Sequence, residues 1–418
     1  MNGKLVAASP ANTSLVVLIC IAQTLVQIGA FIWPALLPGM AARWMLTNSE
    51  AGWITAIFYG AYIIAVPIIV PLTDRFDAKF VYLCGVAATV VGHVLFAVLA
   101  DGFWSALAAR ALTGVGWAGT YMTGLKLLAD KVDDKLLSRA AAGHAASIGV
   151  SGALSFVFAE FAEALAGWRA AFLAAGFSAA LAWLLVALAV PARARPSQPP
   201  ASRPASAFAL FDFRPVMRNR SAMAYALAYC VHTLEINALR GWGVAFLGFV
   251  ALSTGASTTL LSPTATLTAV GLLGTAASFL GNETAIRLGR RRLIGLAMIG
   301  SAVCAVALGF IGSGSYGLAV AIILIYGPLI WLDSSSLTAG TAGTADPARR
   351  GATLAVHSML GYIGGFVGPL AVGWVLDLRG GMSPSAWAAA FSMIAALMTV
   401  ALIAFVAMRP RALAGDRG

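Results

Sequence analysis

The chain is short of charge. Of its 418 residues, 10% are Asp, Glu, Lys or Arg and 60% are apolar, whereas soluble globular proteins carry about 25% charged residues. That composition cannot clothe a soluble surface of this size, which excludes a water-soluble enzyme. Cysteine is scarce too. Cys20, Cys84, Cys230 and Cys304 each lie inside an apolar run with no paired spacing, so they read as small buried hydrophobes rather than disulfides or metal ligands. The sequence has no Gly-rich phosphate loop, no H-E-x-x-H, no Cys/His array and no nucleophile elbow. No catalytic residues, metal or cofactor are therefore expected. No cleavable leader is evident: residues 1–13 are polar and short, and the apolar run behind them is long enough to remain as an anchor.

Acids are the scarcer sign, 16 against 27 Lys and Arg, for a net charge of +11. The basic residues sit in short connectors rather than along one face, which argues against a nucleic-acid partner. Between the connectors are twelve apolar runs, about 14–38, 51–72, 80–100, 104–128, 141–166, 169–190, 221–248, 258–282, 293–312, 316–340, 352–376 and 386–408. Each is near the ~20 residues a bilayer-crossing helix needs. The runs lack two-residue alternation, so a β-barrel is excluded and helices are the remaining option. With the N-terminus placed inside, 21 basic residues fall in inner segments and only Arg43, Arg169 and Arg379 in outer ones. That bias predicts a multi-pass protein of a bacterial inner membrane with both termini cytoplasmic.

Residues 191–220 hold six of the seventeen prolines and six arginines. They read as an extended or disordered cytoplasmic linker between an N-terminal six-helix bundle (1–190) and a C-terminal one (221–418). The halves echo each other. Gln23-Thr24-Leu25 followed by Trp33 and Gly39 matches His232-Thr233-Leu234 followed by Trp242 and Gly248, at a constant offset of 209. A 6+6 repeat is a transporter signature and places a substrate site near mid-membrane.

At this point the residues resemble the major facilitator superfamily over nearly the whole chain. Leu72-Thr73-Asp74-Arg75-Phe76-Asp77-Ala78-Lys79 is similar to its loop motif G-x-L-x-D-R-x-G-R-K, with Val70 and Asp77 at the glycine positions. The sister loop Arg287-Leu288-Gly289-Arg290-Arg291-Arg292 keeps the basic run but has Ile286 at the acid position. Arg110-Ala-Leu-Thr-Gly114-Val-Gly116 resembles R-x-x-x-G-x-G, and Gly167-Trp168-Arg169 also fits. Residues 44–52 and 333–340 look like nitrate- and cyanate-type carriers, although spans 2 and 8 lack the arginines that nitrate carriers place there. The resemblance implies twelve helices in two pseudo-symmetric bundles, and gating roles for Asp74, Arg75 and Arg110. Gly364-Gly-Phe-Val-Gly368-Pro369-Leu-Ala-Val-Gly373 resembles an exporter motif but stands in span 11 rather than span 5, so it reads as close packing.

Ionisable groups inside a bilayer cost roughly 2.5–3.5 kcal/mol even on lenient scales, so each calls for a reason. Span 7 carries His232, Glu235, Asn237, Arg240 and Trp242. His232 lies roughly 16–18 Å from the inner end of that span, near mid-bilayer. Glu235 and His232, three residues apart, are expected to exchange a coupling proton, and Arg240 to clamp an anionic group. The bland reading is a self-neutralising Glu235–Arg240 or Glu235–His232 pair. Asp333 and His357 form a second candidate cluster, with a gate-side Asp333 satisfied by serines as its plain alternative. Gln23, Gln27 and Tyr59 join Asn237 and Trp242 as candidate substrate contacts, against simple helix–helix hydrogen bonding.

The expectation is an all-α secondary transporter, a monomer, moving a small polar, anionic solute by alternating access with protons or a counter-solute. The alternative is an exporter of lipophilic or drug-like compounds.

Overall fold

A computed structural model describes residues 10–192, 213–256, 261–413 and 416. Among the described residues there is no strand, and helix occupies every one of the twelve apolar windows. In chain order the helices are α1 (Pro10–Gln27), α2 (Ile32–Arg43), α3 (Asn48–Arg75), α4 (Ala78–Leu99), α5 (Phe103–Ala129), α6 (Asp134–Ala189), α7 (Arg214–Arg218), α8 (Arg220–Thr254), α9 (Pro263–Leu288), α10 (Arg290–Ile311), α11 (Tyr316–Leu332), α12 (Ser334–Thr344), α13 (Arg350–Leu378) and α14 (Pro384–Met408).

Among the described residues, ten helical segments are long and apolar enough to cross a membrane. One of them lies within α6, which breaks in its middle: Ala166 leaves helical geometry and Gly167 takes φ +81°, a conformation that costs a residue without a Cβ little. The break separates the fifth expected span from the sixth. Helix α5, which carries Arg110, Lys126 and four glycines, is not one of the ten. Residues 193–212 of the Pro/Arg-rich linker lie outside the described residues. Arg214–Arg218, expected to be extended, instead form the single turn and a half of α7, opened by Pro215.

The chain forms two compact units. The first comprises residues 1–32 and 60–194, the second 33–59 and 195–418. The division expected at the linker is one of sequence. In space, the end of the first span and the start of the second belong with the second unit. The first unit packs Ile19, Val26, Tyr82, Val86 and Leu127 at its centre. The second packs Tyr225, Ile294, Met298, Leu337 and Phe405, with a ring cluster of Trp242, Phe246, Trp387 and Phe391.

Two spans are interrupted. The first stops at Gln27 and resumes at Ile32. Its freed groups are taken by neighbouring helices: Arg110 Nη1 donates to Ala30 O at 3.2 Å, and Phe31 N donates to Ser155 Oγ at 2.9 Å. The tenth span stops at Leu332 and resumes at Ser334, five residues after Pro328, which cannot donate to the helix ladder. The Leu332 carbonyl lies against α9 where Gly281 has no side chain; an added Cβ there would overlap it.

Candidate functional site

The interruption at Asp333 places an acid at the centre of the second unit. Asp333 Oδ1 stands 2.9 Å from His232 Nδ1 on α8, and both side chains are almost wholly buried. Oδ1 is within ion-pair distance of Nδ1 but accepts no aligned hydrogen bond. The His232 ring stacks on Tyr229 (centroids 5.5 Å apart, planes 20° from parallel), and Tyr229 stacks on His357 of α13 at 4.0 Å and 19°. Asp333, His232, Tyr229 and His357 thus form one continuous ladder across α8, the α11–α12 break and α13.

At its far end, His357 Nδ1 faces Thr341 Oγ1 at 3.0 Å and Nε2 faces Thr338 Oγ1 at 3.2 Å. Thr341 also lies 3.0 Å from Leu337 O, so it either donates there and accepts from Nδ1–H or donates to a bare Nδ1. Thr338 has a choice, because Ser334 O lies 3.2 Å from the same hydroxyl. Donating to Nε2 it serves a neutral ring; donating to Ser334 O it leaves its lone pairs for Nε2–H of a charged one. The site can therefore hold His357 in either state without stranding a buried donor.

Glu235, 1% exposed, accepts from Tyr326 OH of α11 at 2.7 Å, with Ser301 of α10 also within reach. In this structure Asp333 is the neighbour of His232, and a tyrosine is that of Glu235. Three residues of spacing set two side chains on one helix face, but neighbouring helices decide which of them meet. The two clusters read separately from sequence are one.

The Arg240 guanidinium lies 4.8 Å from the centre of the Trp331 ring, the residue two positions before Asp333. Tyr59 OH donates to Asn237 Oδ1 at 2.6 Å, and Asn237 Nδ2 donates to Thr233 O at 2.8 Å. Trp242 is 2% exposed, its indole N–H spent on Pro369 O at 2.7 Å. The expectation of a substrate contact there gives way to packing, because neither donor nor ring face is open.

In the first unit, Tyr82 OH donates to Gln23 Oε1 at 3.1 Å. Gln23 Nε2 and Gln27 Oε1 are buried with no hydrogen-bond partner among the described residues, the mark of groups that serve a polar ligand or water. Arg110 is the clamp on Ala30 described above. Asp74 and Arg75 are exposed and make no ion pair among the described residues. Their loop acts locally: Asp77 caps α4 through Lys79 N, and Lys79 Nζ closes the end of α6 on Ala187 O and Val190 O.

Sequence reading missed Tyr229, Tyr326, Thr338 and Thr341, all of ordinary type for a membrane helix. It also missed Asp416. The sister loop lacks its acid, yet Arg290 is buried and paired to Asp416 through Nε at 3.2 Å and Nη2 at 3.1 Å. The tail supplies what Ile286 does not.

The family model for the Major Facilitator Superfamily matches residues 19–327. The chain belongs to the Major Facilitator Superfamily. Protein spinster homolog 1 from Homo sapiens is 27% identical over 252 residues, 58% of this chain and 47% of that protein; the Bos taurus protein is 26% identical over the same length. The chain spans about half the length of these curated relatives. Among solved structures, a bacterial homologue of the human lysosomal transporter Spinster, inward-facing and occupied, aligns with a TM-score of 0.74 at 16% identity over 96% of each chain. The nucleoside transporter NupG aligns with a TM-score of 0.75 at 15% identity over 94% of this chain and all of that one. These likenesses show the fold.

Proposed function

We propose that this superfamily member is a secondary active transporter of a small polar, anionic solute, acting as a monomer in a bacterial inner membrane with both termini cytoplasmic and coupled to protons or solute exchange. The observation that carries this reading is the buried ladder Asp333–His232–Tyr229–His357 with Glu235 beside it. A structural role alone gives little reason for it, because a buried pair of this kind can be replaced by apolar residues at little cost. Asp333 faces His232 at 2.9 Å and His357 faces two threonine hydroxyls, a run of side chains of the kind that takes up and releases protons. Arg240 supplies a cation whose planar fork suits a carboxylate or phosphate group. The density of titratable groups on α8 argues against the alternative, an exporter of lipophilic or drug-like compounds.

The test is a thermal-shift screen of the purified protein against carboxylates, inorganic anions, amines and sugars. A ligand at 100 times its Kd stabilises by about 2.7 kcal/mol. The expected hit is an anion whose stabilisation disappears in Arg240→Ala. Its uptake into proteoliposomes is expected to follow a pH gradient and to lose that dependence in Glu235→Gln. Hits confined to amines or lipophilic compounds overturn the anion reading, and uptake indifferent to the gradient overturns proton coupling.

A further inference from the structure

Helix α3 begins with a cap that is only half complete. Thr47 Oγ1 accepts from Glu50 N at 3.1 Å, and Glu50 Oε2 accepts from Thr47 N at 2.8 Å, a reciprocal capping box. A box of this kind leaves the first two helical amides, Asn48 N and Ser49 N, unserved. Both are taken by a residue 328 or 329 positions away. Asp377, at the end of α13, accepts from Asn48 N at 3.0 Å and Asn48 Nδ2 at 2.8 Å through Oδ1, and from Ser49 N at 2.7 Å through Oδ2. Three hydrogen bonds to one carboxylate, set on the positive end of a 28-residue helix, are of the charge-assisted kind.

Below that contact the start of α3 lies close against α8 and α13. A Cβ on Gly373 would overlap Asn48 O, one on Gly52 would stand 2.8 Å from Pro369 O, and one on Gly241 would stand 3.1 Å from the Thr55 methyl. Tyr59 closes the seam on Asn237. Yet from Gly60 onward the same helix belongs to the other compact unit. The seam therefore holds a segment whose continuation is part of a different body.

We propose that Asp377 is the latch of this seam: its carboxylate completes the α3 cap only when residues 48–59 are closed against α8 and α13, and the seam opens when that cap is released. This goes beyond the transport reading, since it concerns a closing contact and not the solute. Glycines make the seam able to close, and the carboxylate weights it towards the closed state. A contact made in one state and not in the other is what shifts such an equilibrium. Opening leaves two helix amides to water and a carboxylate without three donors.

The test uses the full-length protein with its four native cysteines replaced and spin labels on Met45→Cys, in the turn before α3, and Ser385→Cys, in the first turn of α14, both exposed positions. Electron–electron distance measurement on the parent is expected to give one short population. Asp377→Ala is expected to add a longer one, and Asp377→Asn, which keeps the shape and one acceptor, a smaller share of it. Glu50→Gln, which weakens the local box and leaves Asp377 in place, is expected to keep the short population. Unfolding of Asp377→Ala is read from its melting curve, in which case Asp377→Asn decides. Distances unchanged in the folded Asp377 variants overturn the proposal, as does equal opening by Glu50→Gln, which makes fraying of α3 the cause.

Discussion

At the scale of single residues, the pairing of His232 with Asp333 has consequences independent of any solute. Both side chains are buried, and truncating one member of a buried pair leaves the other without its counter-charge, at a cost of about 3–5 kcal/mol. His232→Leu is therefore expected to lower the melting temperature of the purified protein strongly. His232→Leu with Asp333→Leu is expected to recover most of the loss, since an apolar pair of similar volume fills the same space. A double variant no better than the single one would mean that the two groups do not act on each other. Sequence identified these residues as costly in a membrane, but not that they meet, because the contact joins residues 101 positions apart and depends on the break at Asp333. Glu235 makes the same point: its tyrosine partner is 91 positions away and is one of 9 tyrosines in the chain.

At the scale of elements, α8 and α13 are the pair whose approach builds the site, and Gly364 sets how near they come. An added Cβ there would overlap the Cys230 carbonyl, and one at Gly368 the Leu234 carbonyl. Gly364→Ala is expected to destabilise by roughly 1–3 kcal/mol through forced separation of the helices and to weaken the Tyr229–His357 stack along with it. Gly351→Ala, on the same helix with nothing near its Cβ position, is expected to be neutral or to stabilise by up to about 1 kcal/mol through helix propensity. Melting of the two variants against the parent checks both, and equal effects would remove close approach as the cause. The glycine run was legible in the sequence as a packing motif, and the twelve helical windows were legible because apolar length alone demands them. The interruptions were not: Pro328 is compatible with a continuous kinked helix, and the stop five residues later depends on Gly281 of α9 making room for the Leu332 carbonyl.

At the scale of the whole molecule, the proposed orientation rests on where the cations lie. With the N-terminus inside, seven inner segments would hold 21 Lys and Arg against three in the outer connectors, and basic residues near span ends resist translocation. A membrane-impermeant maleimide applied to intact cells, with native cysteines replaced, is accordingly expected to label Met45→Cys and Ser385→Cys and to spare Asp346→Cys until the membrane is permeabilised. All three positions are exposed, so reactivity differs only by side. The reverse pattern would invert the protein and put the Asp377 seam on the cytoplasmic face. The seam would still close by the same hydrogen bonds, but on the opposite side of the membrane.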